Sequence, residues 1–268
     1  MNRSHGFSPF DGPADQASGL RRLFGAPRRH LMPVVANPFV PGSQALLQAL
    51  TAGLVAQGRR VLVVDAAAGS PMPHESALFD LVAGVERLHA QVSYLAARGI
   101  PLSHVDTRGS AAAFIDAAWQ AEPDADLLLM HAEPTDLARM LARQAVRPVL
   151  LACDRPDSVK HAYACCKLLV QRAGVMDFDL VLSARRDNRR AAAIVERLGS
   201  CADAFLGATL HAGAVIDPVG DTAASRDAAL LNLLAGQLAL RDHHRSWAAP
   251  DAGPTRMAPA SAMPPAVS

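Results

Sequence analysis

Between residues 31 and 241, short apolar runs at 31–36, 61–64, 127–130, 149–152 and 178–182 alternate with longer segments of mixed polarity. Runs such as Val61-Leu62-Val63-Val64 and Leu127-Leu128-Leu129-Met130 have no polar face. As strands they must therefore be covered on both sides. The segments at 44–57, 75–89, 111–120, 135–144, 158–172, 188–205 and 223–240 repeat their apolar residues at helical spacing, and each predicts a helix. The alternation predicts an α/β fold, a doubly wound and mostly parallel sheet flanked by helices. In such sheets ligands bind beyond the carboxyl ends of the strands. The loops after Ala36, Val64, Met130, Ala152 and Leu182 are therefore the places to look for chemistry.

Three zones follow: a polar segment at 1–30, an α/β domain at 31–241, and an Ala/Pro-rich tail at 242–268 that predicts disorder. A net charge of +1 and only 4% aromatic residues argue against direct nucleic-acid binding. Cys153, Cys165, Cys166 and Cys201 form no CxxC pair and no zinc spacing, so reduced thiols in a cytoplasmic protein are expected and no metal site is. The first residues lack the apolar core of a signal peptide. No run of about 18 apolar residues marks a membrane span.

Gln57-Gly58-Arg59-Arg60 followed by Val61-Leu62-Val63-Val64-Asp65 reads as a helix end, a glycine cap and a strand ending in an acid. This unit resembles the MinD/ParA branch of P-loop ATPases. The stretch from Asp157 through Ala162-Tyr163 to Lys167-Leu168-Leu169 is similar to that family's segment after the fifth strand, with His161 where an Asp is expected. The resemblance places the family's phosphate loop, Lys-Gly-Gly-Val-Gly-Lys-Thr, on Pro38-Phe39-Val40-Pro41-Gly42-Ser43-Gln44. Only Gly42 is retained. Pro38 and Pro41 have no N–H to offer a phosphate. Ser43 stands for the phosphate lysine and Gln44 for the magnesium-binding Thr. No Lys or Arg occurs anywhere from Leu31 to Gly58. Asp65 matches the first Asp of the family's Asp-Ala-Asp, but Ala67 replaces the second. His131 replaces the magnesium-linked Asp, and Ser183 the adenine-side Asn. The resemblance thus implies a degenerate nucleotide site, with no cofactor required, any ATP and magnesium held only weakly, and no hydrolysis.

Upstream, Asp15 is suited to cap a short helix, with Ala17, Leu20, Leu23 and Phe24 as one apolar stripe and Arg21 and Arg22 near its end. Gly19 weakens it by about 1 kcal/mol relative to Ala, so the helix is expected to firm up on docking. The pattern Asp15-Gln16-Ala17-x-x-Leu20-Arg21 resembles the N-terminal signature of the flagellar-number regulators FlhG (FleN, YlxH). That resemblance implies a partner, the flagellar GTPase FlhF, bound by Asp15, Gln16, Ala17, Leu20, Arg21, Leu23 and Phe24. Gln16 would then act in trans near the GTPase's nucleotide. Flagellar C-ring proteins and transcription regulators are further expected partners, and through them a place at the cell pole or inner membrane. The alternative reading is an active MinD/ParA-like switch with ATP-dependent dimerisation and membrane contact. The 223–240 segment lacks the basic face of a membrane-surface helix and is expected to pack on the sheet.

Overall fold

The computed structural model describes residues 29–142, 144–185, 187–217 and 227–247. The partner-binding helix expected at 15–24 lies outside them, as does 248–268 of the tail, whereas residues 242–247, expected as the start of that tail, continue a helix that begins at Ala228. The strands are β1 (His30–Val35), β2 (Val61–Asp65), β3 (Val85–His89), β4 (Val92–Ala96), β5 (Leu127–Ala132), β6 (Val149–Cys153), β7 (Asp177–Ser183) and β8 (Thr209–Ile216). They form one sheet in the order β3-β4-β2-β5-β1-β6-β7-β8. All neighbours are parallel except β3 and β4, which form an antiparallel hairpin at one edge. The five apolar runs are the central strands, and β1, β2, β5 and β6 are buried along their whole length.

The helices are α1 (Ser43–Ala56), α2 (Leu81–Gly84), α3 (Ile100–Ser103), α4 (Ala112–Ala121), α5 (Pro134–Leu141), α6 (Pro156–Ala173), α7 (Ala191–Leu206) and α8 (Ala228–Trp247). They divide unequally between the faces. Phe114 of α4, Met140 of α5, Cys165 of α6 and Leu198 of α7 pack over Leu62, Val64 and Leu182 on one face. On the other, Leu46, Leu50 and Leu54 of α1 and Leu230, Leu233 and Leu234 of α8 cover Met32, Val34 and Val181. Three leucines of α8 with 0% exposure account for its packing on the sheet, as its missing basic face suggests. A buried ion pair, Arg147 Nε to Asp179 Oδ2 at 2.9 Å, holds the same helix, because Gln237 of α8 donates to both Asp179 Oδ2 and the Arg147 carbonyl at 2.7 Å.

Three elements differ from the sequence reading. The segment 75–89, expected as one helix, is a 3-10 turn (Glu75–Leu78), the short α2, and strand β3. Leu81, Val82, Val85 and Leu88 mimic helical spacing, but β3 is an edge strand with little burial, so it shows no period-2 signal. β4 was absent from the expectation because Val92-Ser93-Tyr94-Leu95-Ala96 is too short and mixed to stand out. β8 was missed for a similar reason: its edge position leaves Thr209, His211 and Gly213 exposed.

Candidate functional site

The loop after β1 leads into α1 through Gly42, whose φ of 69° lies in the left-handed region that glycine tolerates. Asn37, buried at 5% exposure, organises this loop. Its Nδ2 donates to the Leu151 carbonyl at 2.8 Å and to the Ser158 carbonyl at 3.0 Å, fastening the loop to β6 and α6. Its Oδ1 accepts from Phe39 N–H at 3.1 Å, and its carbonyl accepts from Val40 N–H at 3.1 Å. Pro38 and Pro41 have no N–H. From 38 to 41, every amide is therefore either missing or turned onto Asn37. Cys153 adds a contact from below, Sγ to the Phe39 carbonyl at 3.3 Å.

Beside this loop the structure brings three of the singled-out residues together. Asp65, at the end of β2, has 0% exposure. His131, at the end of β5, puts Nδ1 2.7 Å from Asp65 Oδ1. Gln44, in the first turn of α1, donates from Nε2 to Asp65 Oδ2 at 2.8 Å. Two residues not anticipated from sequence complete the cluster. Ser70 Oγ donates to Asp65 Oδ1, and Tyr94 OH donates to Oδ2 at 3.3 Å. A carboxylate offers about four lone-pair positions, and here four protein donors occupy them. Because Oδ1 can only accept, His131 Nδ1 carries the proton. Its Nε2 is buried and unpartnered among the described residues.

Burial pushes the Asp65 carboxyl up, but hydrogen bonds from His131, Ser70 and Gln44 and the His131 charge more than offset it. Asp65 therefore sits below its ordinary value and stays ionised at neutral pH. Tyr94 is pushed the other way, by burial and then by the Asp65 charge, so its hydroxyl remains a donor. The loop after β2 is clamped in turn. Glu133 Oε1 accepts from Ala68 N–H at 3.1 Å, and Arg98 Nη1 donates to the Ala68 and Ser70 carbonyls.

Pro38, Ser43 and Gly42 do not join the cluster; Pro38 and Gly42 are exposed. Ser183 is buried at the end of β7, and in the loop that follows Asn188 Nδ2 donates to Asp154 Oδ2 at 2.7 Å. Among the described residues no group of three or more His, Cys, Asp or Glu is placed to hold a metal ion. None of the described helices is long and apolar enough to cross a membrane.

Solved structures match this architecture. A plasmid partition protein from Borrelia burgdorferi aligns with a TM-score of 0.55 at 10% identity, over 78% of this chain and 99% of its own. The chain has the fold of the MinD/ParA ATPases. The MinD cell division protein of Aquifex aeolicus aligns with a TM-score of 0.51 at 12% identity, over 77% of this chain and 97% of its own. Cobyrinic acid a,c-diamide synthase from Mycobacterium smegmatis, bound to an ATP analogue and magnesium, aligns with a TM-score of 0.54 at 16% identity, over 81% and 97%. No family model matches the sequence, and no curated protein matches it either. At these identities the likeness establishes the MinD/ParA fold and stops there.

Proposed function

We propose that this chain is a MinD/ParA-fold protein that does not hydrolyse ATP, and that it regulates flagellar biosynthesis through its N-terminal helix. One observation supports the loss of hydrolysis above all: the acceptor positions of Asp65 are filled by Gln44, Ser70, Tyr94 and His131. Magnesium needs open oxygen ligands, and the one carboxylate in this cluster has none to spare. His131 and Gln44 stand where an acid and a hydroxyl would serve the ion, and both act as donors. The phosphates fare no better, with no Lys or Arg between 31 and 58 and no free amide from 38 to 41. These residues do not fit a magnesium triphosphate, so no catalytic step is assigned to them.

The regulatory output rests on Asp15, Gln16, Ala17, Leu20 and Arg21, which match the flagellar-number regulators position by position. In this reading the apolar stripe docks in a groove of the flagellar GTPase FlhF, and Gln16 reaches its nucleotide. Any association with the cell pole comes through that partner. Single-turnover GTP hydrolysis by the flagellar GTPase with a 15–24 peptide tests the role. Stimulation by at least about tenfold is expected, a modest share of what GTPase-activating groups supply, with loss on Gln16→Ala. No stimulation, or stimulation indifferent to Gln16→Ala, would remove the flagellar role. An ATP-switched dimer, the rival function, requires Mg-ATP to bind.

A further inference from the structure

The sheet face that carries α1 and α8 is covered unevenly. Beside α1, over β2, β4 and β3, lies a groove of about 830 Å³. Its floor is Val63, Val92 and Tyr94, its wall includes Leu47 and Val55 of α1, and Glu86 stands on its outer rim. Strands lie about 4.8 Å apart, so the lane from β2 to β3 is about 10 Å across, the diameter of one helix. Its wall runs from Gln44 to Val55, a length of about 16 Å at 1.5 Å per residue.

We infer that this groove holds the chain's own N-terminal segment, 15–24, as a helix. Ten helical residues span about 15 Å, matching the length of the wall. The described chain begins at Arg29, one residue before β1, with its guanidinium 5.3 Å from the centroid of the Trp119 ring on the α4 face. The pairing register puts His30, Leu127, Val61 and Val92 in one row across the sheet. Three strand spacings, about 14 Å, separate His30 from Val92. The five residues from Phe24 to Arg29 reach up to about 17 Å, so Phe24 arrives at the Val92 end of the groove. The helix then runs beside α1 with Ala17, Leu20, Leu23 and Phe24 on the apolar floor. Glu86 pairs in register with Tyr94, two residues along from Val92. That is about 7 Å, or four to five helical residues, from Phe24. Arg21 lies three residues, about 4.5 Å, from Phe24, and a helical side chain tilts back towards the N-terminus, so its guanidinium reaches the level of the Glu86 carboxylate, the charge complement on the rim. The tail at 248–268 offers no comparable stripe. The consequence, that docking withholds Gln16 from the GTPase, rests on the function proposed above; the docking itself does not.

The test is disulfide trapping in the full chain carrying Ala17→Cys and Gln48→Cys. Gln48 is an exposed residue of the groove wall, level with Ala17 in this arrangement. Exposed Cys201 is the internal control, since Cys153, Cys165 and Cys166 are buried. An intramolecular link from position 17 to position 48 is expected at least about tenfold faster than one to Cys201, as a raised effective concentration requires. Ala52→Arg, an exposed substitution that fills the groove, should abolish the excess. Equal rates, a link that survives Ala52→Arg, or a disulfide between two chains would overturn the inference. If trapping fails while the 15–24 peptide still stimulates GTP hydrolysis, only the inference falls. If trapping succeeds and the peptide is inert, only the proposed function does.

Discussion

His131 and Asp65 end adjacent parallel strands, and the 2.7 Å contact from Nδ1 to Oδ1 joins them where both side chains are almost wholly buried. Removing one partner of a full buried ion pair typically costs about 3–5 kcal/mol, and removing a donor from a buried carboxylate leaves part of its charge without compensation. Asp65 keeps three further donors, which soften the loss. His131→Leu should therefore lower stability by about 2–3 kcal/mol in urea unfolding, below that range. Asp65→Ala, which strands four donors at once, should cost more. A His131→Leu protein as stable as the parent would show that the contact contributes little.

The same carboxylate sets a pH dependence. Folded Asp65 lies below its unfolded value, because its donors outweigh its burial. Its unfolded form therefore binds a proton more readily, and stability rises with pH through that interval. Its contribution is complete above about pH 5, beyond the ordinary carboxylate range. It disappears as pH falls through the folded value. The stability gap between the parent and Asp65→Asn should thus be widest at neutral pH and close in acid. Urea midpoints measured across that range check the sign.

Asp179 behaves oppositely. Burial lifts its carboxyl further than Arg147, Gln237 and the Ala212 amide lower it. A neutral isostere should therefore be tolerated better than a truncation. Asp179→Ala, which leaves Arg147 buried and unpaired, should cost about 3–5 kcal/mol, and Asp179→Asn distinctly less. Thermal unfolding of the two variants side by side decides this.

Asn37 should prove structural beyond its size. Asn37→Ala removes the donors to Leu151 and Ser158 and the acceptor for Phe39. A loss of about 1–3 kcal/mol follows from the unsatisfied buried groups. Hydrogen exchange should accelerate first in the loop before α1.

Much of this was legible in the sequence. Strands such as 61–65 and 127–132 could be read because burial on both faces leaves no polar residue in them. β3 and β8 could not, since an edge strand is only partly covered and its pattern follows solvent rather than pleat. Gln44 and His131 were identifiable as departures from ATPase chemistry and Asp65 as a match to it, but their mutual bonding was not. Sequence spacing cannot show that α1 and β5 converge on the carboxylate that ends β2. Ser70 and Tyr94 were missed for related reasons. One lies in an irregular loop, and the other on β4, whose short mixed run gave no strand signal. Asn37 carried a faint signal, a polar residue immediately after a wholly apolar strand.

With its acceptor positions filled, Asp65 leaves a polyphosphate and its metal no seat beside it. Titration calorimetry of the intact chain with Mg-ATP measures this directly. The expected result is no saturable heat up to about 1 mM nucleotide, a binding free energy weaker than about 4 kcal/mol. A micromolar dissociation constant, lost on Asp65→Ala, would contradict it.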